Sequence, residues 1–330
     1  MEDAHLPPSR PEARLTIAIA TYNGRRLLEV ALPSLARQTF RDFNVAVIDD
    51  ASTDDTVTWL GEHWPEVEIV RHERNRGVTA ALNTCLSVAH TPLVGLFNND
   101  IEADPRALGE LVAALDAHPE SGWAGAKLLD FRERDRIDGA GDVFTWAATA
   151  GRRGHGERDR GQYDEPRAIF GACGGAAVYR REALDDVGPL DDDFHALYED
   201  VDWNLRAQLA GYGCRYVPTA VVYHMGSETI GRGLTDFTRY RLLRNGAWIV
   251  VKDLPLGAIV RHAPQLALGQ LAHLAVAVRD RKVSVWLRAM RDAALACPRM
   301  LRKRRAVQAR RRISVRELEL VVGRDGGRLR

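Results

Sequence analysis

The 330-residue chain contains no long uninterrupted run of apolar residues, and its most apolar late stretch, residues 263 to 278, is broken by Gln265, Gln270 and His273. It falls short of the roughly 18 to 20 apolar residues that a bilayer-crossing helix needs, so no membrane span is predicted. Residues 1 to 14 are polar and proline-rich and lack an apolar h-region. A short disordered leader is expected there, not a signal peptide. Cysteine is scarce: Cys85, Cys173, Cys214 and Cys297 have neither metal-ligand spacing nor the density of a disulfide framework. Reduced thiols in a cytosolic setting follow. No GxGxxG follows the first apolar strand and no P-loop with its lysine occurs, which disfavours a dinucleotide dehydrogenase and an NTP hydrolase. Net charge is also nearly absent, at +1, yet residues 299 to 330 hold twelve Lys/Arg and three Asp/Glu. That end is +9, and residues 1 to 298 are −8. An acidic body without a reader motif argues against nucleic-acid binding.

What is present is an alternation of strand and helix. Leu15 to Ala20 is an apolar run ending in Thr-Tyr-Asn-Gly, and Arg25 to Gln38 follows with leucines at helical spacing. The unit recurs as strand Phe43 to Ile48, helix Thr56 to His63, strand Glu68 to Arg71, helix Val78 to Ala89 and strand Leu93 to Phe97. This pattern predicts a mostly parallel central sheet flanked by helices. Ligands of such sheets collect at the carboxyl ends of the strands, where Thr21, Asp49 and Asp100 fall. Residues 139 to 161 are Gly-rich and aperiodic, so an extended insertion is expected. Order resumes at Ile169 to Tyr179 and in helices at Arg180 to Val187 and Glu199 to Ala210, the latter closed by Gly211. A strand from Arg215, interrupted by Pro218, ends at Tyr223-His224, and residues 237 to about 312 read as helical.

Three polar clusters could carry chemistry. Asn98, Asn99 and Asp100 sit where an apolar strand emerges, and a carboxylate beside amide oxygens suits Mg²⁺ or Mn²⁺, although the same residues make ordinary turns. Thr21, Tyr22, Asn23 and Asp49 offer hydroxyl, amide and carboxylate groups for a nucleotide base and ribose, or serve as turn and cap residues. Glu199, Asp200 and Asp202 crowd a helix start; they cap it, or one of them is a general base for an attacking hydroxyl. His224 is the histidine that this topology brings toward the metal edge, as a ligand or as a packed side chain.

In order along the chain, TIAIATYNG, VAVIDDASTDDT, RNRGVTAALN, LVGLFNNDIEADP, GACGGAAVYRREALDDVGPLDDDF, LYEDVDWNLRAQLAGYGCRYVPTAVVYH and YRLLRNGAWIVVKDLP resemble the family 2 inverting glycosyltransferases of GT-A fold, closest to their bacterial rhamnosyltransferase-like branch. The resemblance spans residues 15 to 255 or so. It implies a leader at 1–14, a GT-A catalytic domain at 15–236, with a donor half to about 105 and an acceptor half beyond, and a helical basic extension at 237–330. It implies that Thr21, Tyr22, Asn23, Asp49 and Asp50 meet the nucleotide and that Arg74, Asn75, Gly77 and Asn83 border the donor pocket. Asp100 stands for the last position of the family's DxD, with Asn98 and Asn99 before it. Asn98 replaces the first carboxylate of that motif. Asp100 and His224 would be the metal-side residues and Asp200 the catalytic base, with Gly174, Glu199, Asp202 and Trp203 on the acceptor side. Arg244 and Asn245 match a late pair of unassigned role.

The implied reaction transfers a sugar, rhamnose by resemblance and galactofuranose or another hexose as substitutes, from a dTDP- or UDP-type donor to a glycan or lipid-linked hydroxyl, assisted by Mn²⁺ or Mg²⁺. The basic helical end, with Arg-Lys-Arg-Arg at 302 to 305, suits the anionic inner face of a cell membrane or a homo-oligomer contact. Two rivals stand beside this reading. A nucleotidyltransferase usually carries a Gly-rich phosphate loop, of which TYNGRR is a poor version. A non-catalytic nucleotide-sugar binder has no use for Asp200.

Overall fold

The computed structural model describes residues 5–226 and 235–323. Its first half is built from β1 (Leu15–Thr21), α1 (Arg25–Ala36), β2 (Phe43–Asp49), α2 (Thr56–His63), β3 (Glu68–Arg71), α3 (Val78–Val88), β4 (Leu93–Asn98), β5 (Ile101–Ala103) and α4 (Ala107–Ala117). There follow β6 (Ser121–Asp130), β7 (Ile137–Gly139), β8 (Asp142–Phe144), β9 (Ala150–Arg152), β10 (Arg167–Ile169), β11 (Ala176–Arg180), α5 (Arg181–Val187), α6 (Glu199–Leu209) and β12 (Gly213–His224). Six helices complete the described chain: α7 (Asp236–Lys252), α8 (Leu256–Arg261), α9 (Ala263–Arg279), α10 (Val283–Leu295), α11 (Cys297–Arg310) and α12 (Val315–Gly323).

The main sheet runs β10-β12-β6-β11-β4-β1-β2-β3. Strand β1 is parallel to β2 and β4 on its two sides, with Ile17 opposite Val45 and Gly95. Its near-complete burial fits a parallel strand covered on both faces. Gly95 permits this packing, because a Cβ there would lie 2.5 Å from Ile17 Cδ1. Helices α1, α2 and α4 cover one face through Leu28, Leu60 and Leu108. Helices α3, α5 and α6 cover the other through Cys85, Leu184 and Trp203. Strand β12 shifts register between Val217 and Val221, around Pro218, which has no amide hydrogen to give the ladder. Beyond that bulge, His224 pairs with Asp130 of β6 and Ile101 of β5, which carries it to the end of β4.

Two expectations need correcting. The leader is packed from His5 onward: Leu6 is buried, and the Asn44 amide closes a two-way pair of hydrogen bonds with the Arg10 backbone at 2.8 and 2.9 Å. Residues 1–4 lie outside the described residues. The Gly-rich stretch is no extended insertion but includes a β8–β9 hairpin, anchored by Phe144 stacked on Phe170. Its aperiodic sequence reflects three-residue strands too short to show alternation. A third core joins Phe194 and Leu205 to Trp248, Met300 and Leu318, so the C-terminal helices share a hydrophobic core with α6. All four cysteines are free. Among the described residues no helix is long and apolar enough to cross a membrane.

Candidate active site

The carboxyl ends of β1 and β4, the loop before α3, the β9 strand and the start of α6 enclose a cavity of about 880 Å³. One group of its lining residues is Thr21, Tyr22, Asp50, Asn75 and Gly77; a second is Asn98, Asp100, Arg152, Gly174, Glu199, Asp200, Trp203 and His224, and Asn99 joins the two. Its wall also includes the apolar side chains of Val78, Leu82 and Leu190.

In the first group Thr21 Oγ1 accepts a hydrogen bond from Asn99 Nδ2 at 2.9 Å, which ties the end of β1 to the residue after β4. Gly24 lets the chain pass this pair, since a Cβ there would collide with both side chains. Asp50 accepts from the amides of Arg76 and Gly77, both at 2.8 Å, and from His72 Nδ1 at 2.7 Å, so it fixes the loop that turns into α3. Asp49 is fully buried. Its Oδ2 takes the Ser52 amide at 3.0 Å and its Oδ1 has no partner. A buried carboxylate oxygen without a donor is costly, but Asp49 is not among the residues of the cavity wall.

Several residues expected at a ligand are occupied elsewhere. Asn23 Oδ1 accepts from the Thr53 amide at 2.8 Å and joins two loops. Asn83 reaches Asp192 Oδ1 at 2.8 Å and pairs with the Leu190 backbone, joining α3 to the acidic turn. Asp202 is fully buried against Arg206 at 2.9 Å and Lys252, so it faces away from the cavity. Arg74, exposed on its loop, is absent from the cavity wall, where Arg76 stands instead.

In the second group His224 Nε2 lies 3.2 Å from Asp100 Oδ1 and 3.4 Å from Asn98 Nδ2, while Nδ1 lies 2.8 Å from Asp138 Oδ2. Burial works against protonation of His224, but hydrogen bonds and charge from Asp100 and Asp138 raise its pKa to about 9. Burial likewise opposes ionisation of Asp138, yet His155, His224 and Arg152 hold it well below the ordinary carboxylate range. Among the described residues no three His, Cys, Asp or Glu side chains form a metal cage. The donor set nonetheless fits a divalent ion that completes its shell from a ligand. Asp100 and the Nε2 of His224 face one another, and a carboxylate on Nδ1 is the arrangement that orients a metal-binding imidazole.

Asp200, at the first turn of α6, accepts its neighbour's amide from Val201 at 2.8 Å. Gly174 makes room for it, because a Cβ there would sit 3.0 Å from Asp200 Oδ2. Burial raises the pKa of Asp200, against the lowering pull of the Val201 amide and Arg152. Burial and the Asp200 charge push Glu199 up to about 8, and its Oε2 lacks a partner. Asp142 is buried beside them with an unpartnered Oδ2.

Sequence reasoning missed Asp138, Asp142 and Arg152, all contributed by the irregular hairpin region. Arg152 Nη1 meets Asp138 Oδ2 at 2.5 Å and also lines the cavity. The structure also gives Arg244 and Asn245 a position. Asn245 Nδ2 donates to the carbonyls of Ala196 at 3.1 Å and Leu197 at 2.6 Å, and Arg244 donates to those of Asp193 and Phe194 at 3.2 Å. Together they clamp the turn that enters α6. In that turn His195, Leu197 and Tyr198 have φ of 60, 67 and 70°, a left-handed backbone that non-glycine residues rarely hold.

A family model described as "Glycosyl transferase family 2" matches residues 16–188. The chain is 30% identical over 249 residues to an uncharacterized protein, y4gI, of Sinorhizobium fredii, covering 70% of this chain and 26% of that one. It is 28% identical over 307 residues to the pre-mycofactocin glycosyltransferase of Mycobacterium tuberculosis, covering 87% and 60%. It is 26% identical over 239 residues to the N-acetylglucosaminyl-diphospho-decaprenol L-rhamnosyltransferase of the same organism, covering 66% and 78%. The chain thus spans a quarter of the first and 60% of the second. In fold it is similar to the mannosyltransferase PcManGT of Pyrobaculum calidifontis, solved with GDP-Man and Mn²⁺, at TM-score 0.54, 19% identity and 98% and 90% coverage. It is similar as well to residues 1–349 of S. aureus TarS with UDP-GlcNAc, at TM-score 0.55, 19% identity and 94% and 90% coverage. These likenesses show the GT-A fold.

Proposed function

The chain belongs to glycosyl transferase family 2, and from that premise we propose that it moves a sugar from a nucleoside-diphosphate donor to an acceptor hydroxyl with inversion at the anomeric carbon. The observation that carries this reading is that Asp200 and the Asp100–His224 pair line the same cavity as Thr21, Asp50 and Gly77.

Thr21, Tyr22, Asp50, Asn75 and Gly77 would hold the base and ribose, and the unpartnered Oδ1 of Asp49, off the cavity wall, would accept a base N–H. Asp100 and His224 would hold a divalent Mn²⁺ or Mg²⁺ together with the donor diphosphate. Such an ion supplies charge neutralisation of the leaving group. Asp200, ionised, takes the proton of the acceptor hydroxyl; the oxygen bonds to the anomeric carbon as the bond from that carbon to the diphosphate oxygen breaks. The nucleoside diphosphate leaves and the configuration inverts. Burial holds the Asp200 pKa above its ordinary value, which makes this carboxylate a stronger base once ionised.

Within this reading the donor is a dTDP- or UDP-type sugar, rhamnose in the first instance. Similarity to an L-rhamnosyltransferase whose acceptor is a diphospho-decaprenol supports that choice and a lipid-linked or cell-envelope glycan acceptor. A cytoplasmic enzyme working at the inner membrane face fits such an acceptor. The test is a panel of nucleotide sugars with Mn²⁺ or Mg²⁺, with and without membrane lipid extract, following nucleoside diphosphate release. Metal-dependent release from one donor, stimulated by the extract, supports transfer. Pyrophosphate release from a nucleoside triphosphate and a sugar phosphate would instead identify a nucleotidyltransferase.

A further inference from the structure

Helix α9 is unusual for a surface helix. Residues 262 to 278 contain no Asp, Glu, Lys or Arg. Gly269 and Ala277 are buried on its inner side. Its outer side carries Leu268, Leu271 and Val278 at 65, 62 and 59% exposure, spaced three and seven residues apart so that they share one stripe. A solvent-facing stripe normally holds charged or polar side chains. An apolar one is a surface waiting for a partner.

The inner side fixes where this stripe lies. Gly269 presses so closely on the hairpin tip that a Cβ would come within 2.5 Å of Ala147 O. Trp146 of the same tip stacks on His262, with ring centroids 3.8 Å apart. The hairpin's second strand, β9, lines the cavity through Ala150, Gly151 and Arg152. Helix α9 therefore packs on the tip of a hairpin whose second strand lines the candidate active site.

Charge identifies the partner. Residues 237 to 330 hold twenty-two Lys/Arg and six Asp/Glu, a net +16, which leaves −15 for the rest of the chain. Lys303 and Arg312 are engaged with Asp193 and Asp186, while Arg302, Arg305, Arg310 and Arg311 are exposed. A second copy docked through this region would bring like charge against like charge. An anionic bilayer would neutralise it and accept the apolar stripe, and these are the two signals that stable surface attachment needs. With 17 residues, α9 is roughly 25 Å long, shorter than the hydrocarbon core, and its inner side is already packed. The geometry suits lying on a membrane, not crossing it.

We propose that α9 docks flat on an anionic lipid bilayer, with Leu268, Leu271 and Val278 in the headgroup–acyl boundary. The orientation this gives, with the cavity held close to a lipid-linked acceptor, rests on the proposed transfer reaction; the docking itself does not. The test uses the full chain without donor, so failure to dock and failure to transfer sugar are read separately. Co-sedimentation is measured with phosphatidylcholine vesicles with and without phosphatidylglycerol, at low and high salt, for the unsubstituted protein and for L268E/L271E.

The expected result is binding that requires phosphatidylglycerol and weakens with salt, and that falls at least about tenfold in L268E/L271E while its thermal midpoint stays unchanged. Hydrogen exchange on the unsubstituted protein gives the second reading: α9 amides gain protection on vesicles. Three results overturn the proposal. One is L268E/L271E binding as tightly as the unsubstituted protein. Another is vesicle binding with no change in α9 exchange. The third is no vesicle binding, with a dimer that L268E/L271E disperses, which would assign the stripe to a second copy.

Discussion

His224 Nε2 lies 3.2 Å from Asp100 Oδ1, at the meeting of two strands that are remote in sequence. The contact follows from backbone pairing, because β12 delivers His224 opposite Ile101, the residue after Asp100. On its other side the imidazole is held by Asp138, which in turn contacts Arg152 of the hairpin. A line of four side chains thus runs from Asp100 on the cavity wall to the hairpin.

Replacing Asp138 with Asn is expected to loosen the imidazole without removing it. Loss of such a carboxylate partner typically weakens metal affinity about 10- to 100-fold. A titration of activity against Mn²⁺ or Mg²⁺ should show that rise in the metal concentration required, with most of the rate recovered at saturation. An unchanged titration would mean that Asp138 does not orient His224 toward a metal.

Burial raises the pKa of Asp200, and the Val201 amide and the Arg152 charge pull it back down. Asp200 works as a base only when ionised, so the rate falls as pH drops through its pKa. Arg152→Gln removes a favourable positive charge, and the acidic limb of the profile of kcat/KM against pH is expected to move to higher pH. A limb that stays in place, or moves to lower pH, contradicts the proximity of these two groups.

Asn245 bonds the carbonyls of a turn held in left-handed conformation just before Asp200. Asn245→Ala leaves those buried carbonyls without their donor, a loss of about 1–3 kcal/mol. Urea unfolding should show that loss. The rate should drop with little change in donor affinity, since Thr21 and Asp50 are untouched. Full rate at reduced stability would separate the turn from the chemistry.

Much of this arrangement is legible in the sequence, for identifiable reasons. The buried runs at Leu15 to Ala20 and Leu93 to Phe97 announce their strands, and Thr21 and Asp100 follow at the ends where parallel sheets bind ligands. Asp138, Asp142 and Arg152 are hidden because strands of three residues have no periodicity to read. Asn23 and Asn83 show the opposite problem. A polar residue after a strand or on a helix face serves ligands or loops equally well, and here their hydrogen bonds go to loops. Arg244 and Asn245 act on backbone carbonyls, a target that leaves no mark in the residues they touch.

The C-terminal helices are tied to α6 through Lys252, which is 2% exposed and contacts Asp191 at 2.7 Å as well as Asp202. Lys252→Met would leave Asp202 to Arg206 and Asp191 to Lys303 alone. The expected cost is about 1–3 kcal/mol, below the roughly 3–5 kcal/mol of a buried charge left with no partner, and thermal or urea unfolding should report it. A loss below about 1 kcal/mol, the worth of a surface pair, would show that the network is solvated.

The most direct test of the central claim is Asp200→Asn, with donor binding by calorimetry measured beside turnover on the active donor. Donor affinity is expected to stay close to that of the unsubstituted protein and the rate to fall by about 10²- to 10⁴-fold, the usual worth of a positioned general base. A D200N variant that turns over at the original rate would contradict the claim and remove Asp200 from the chemistry.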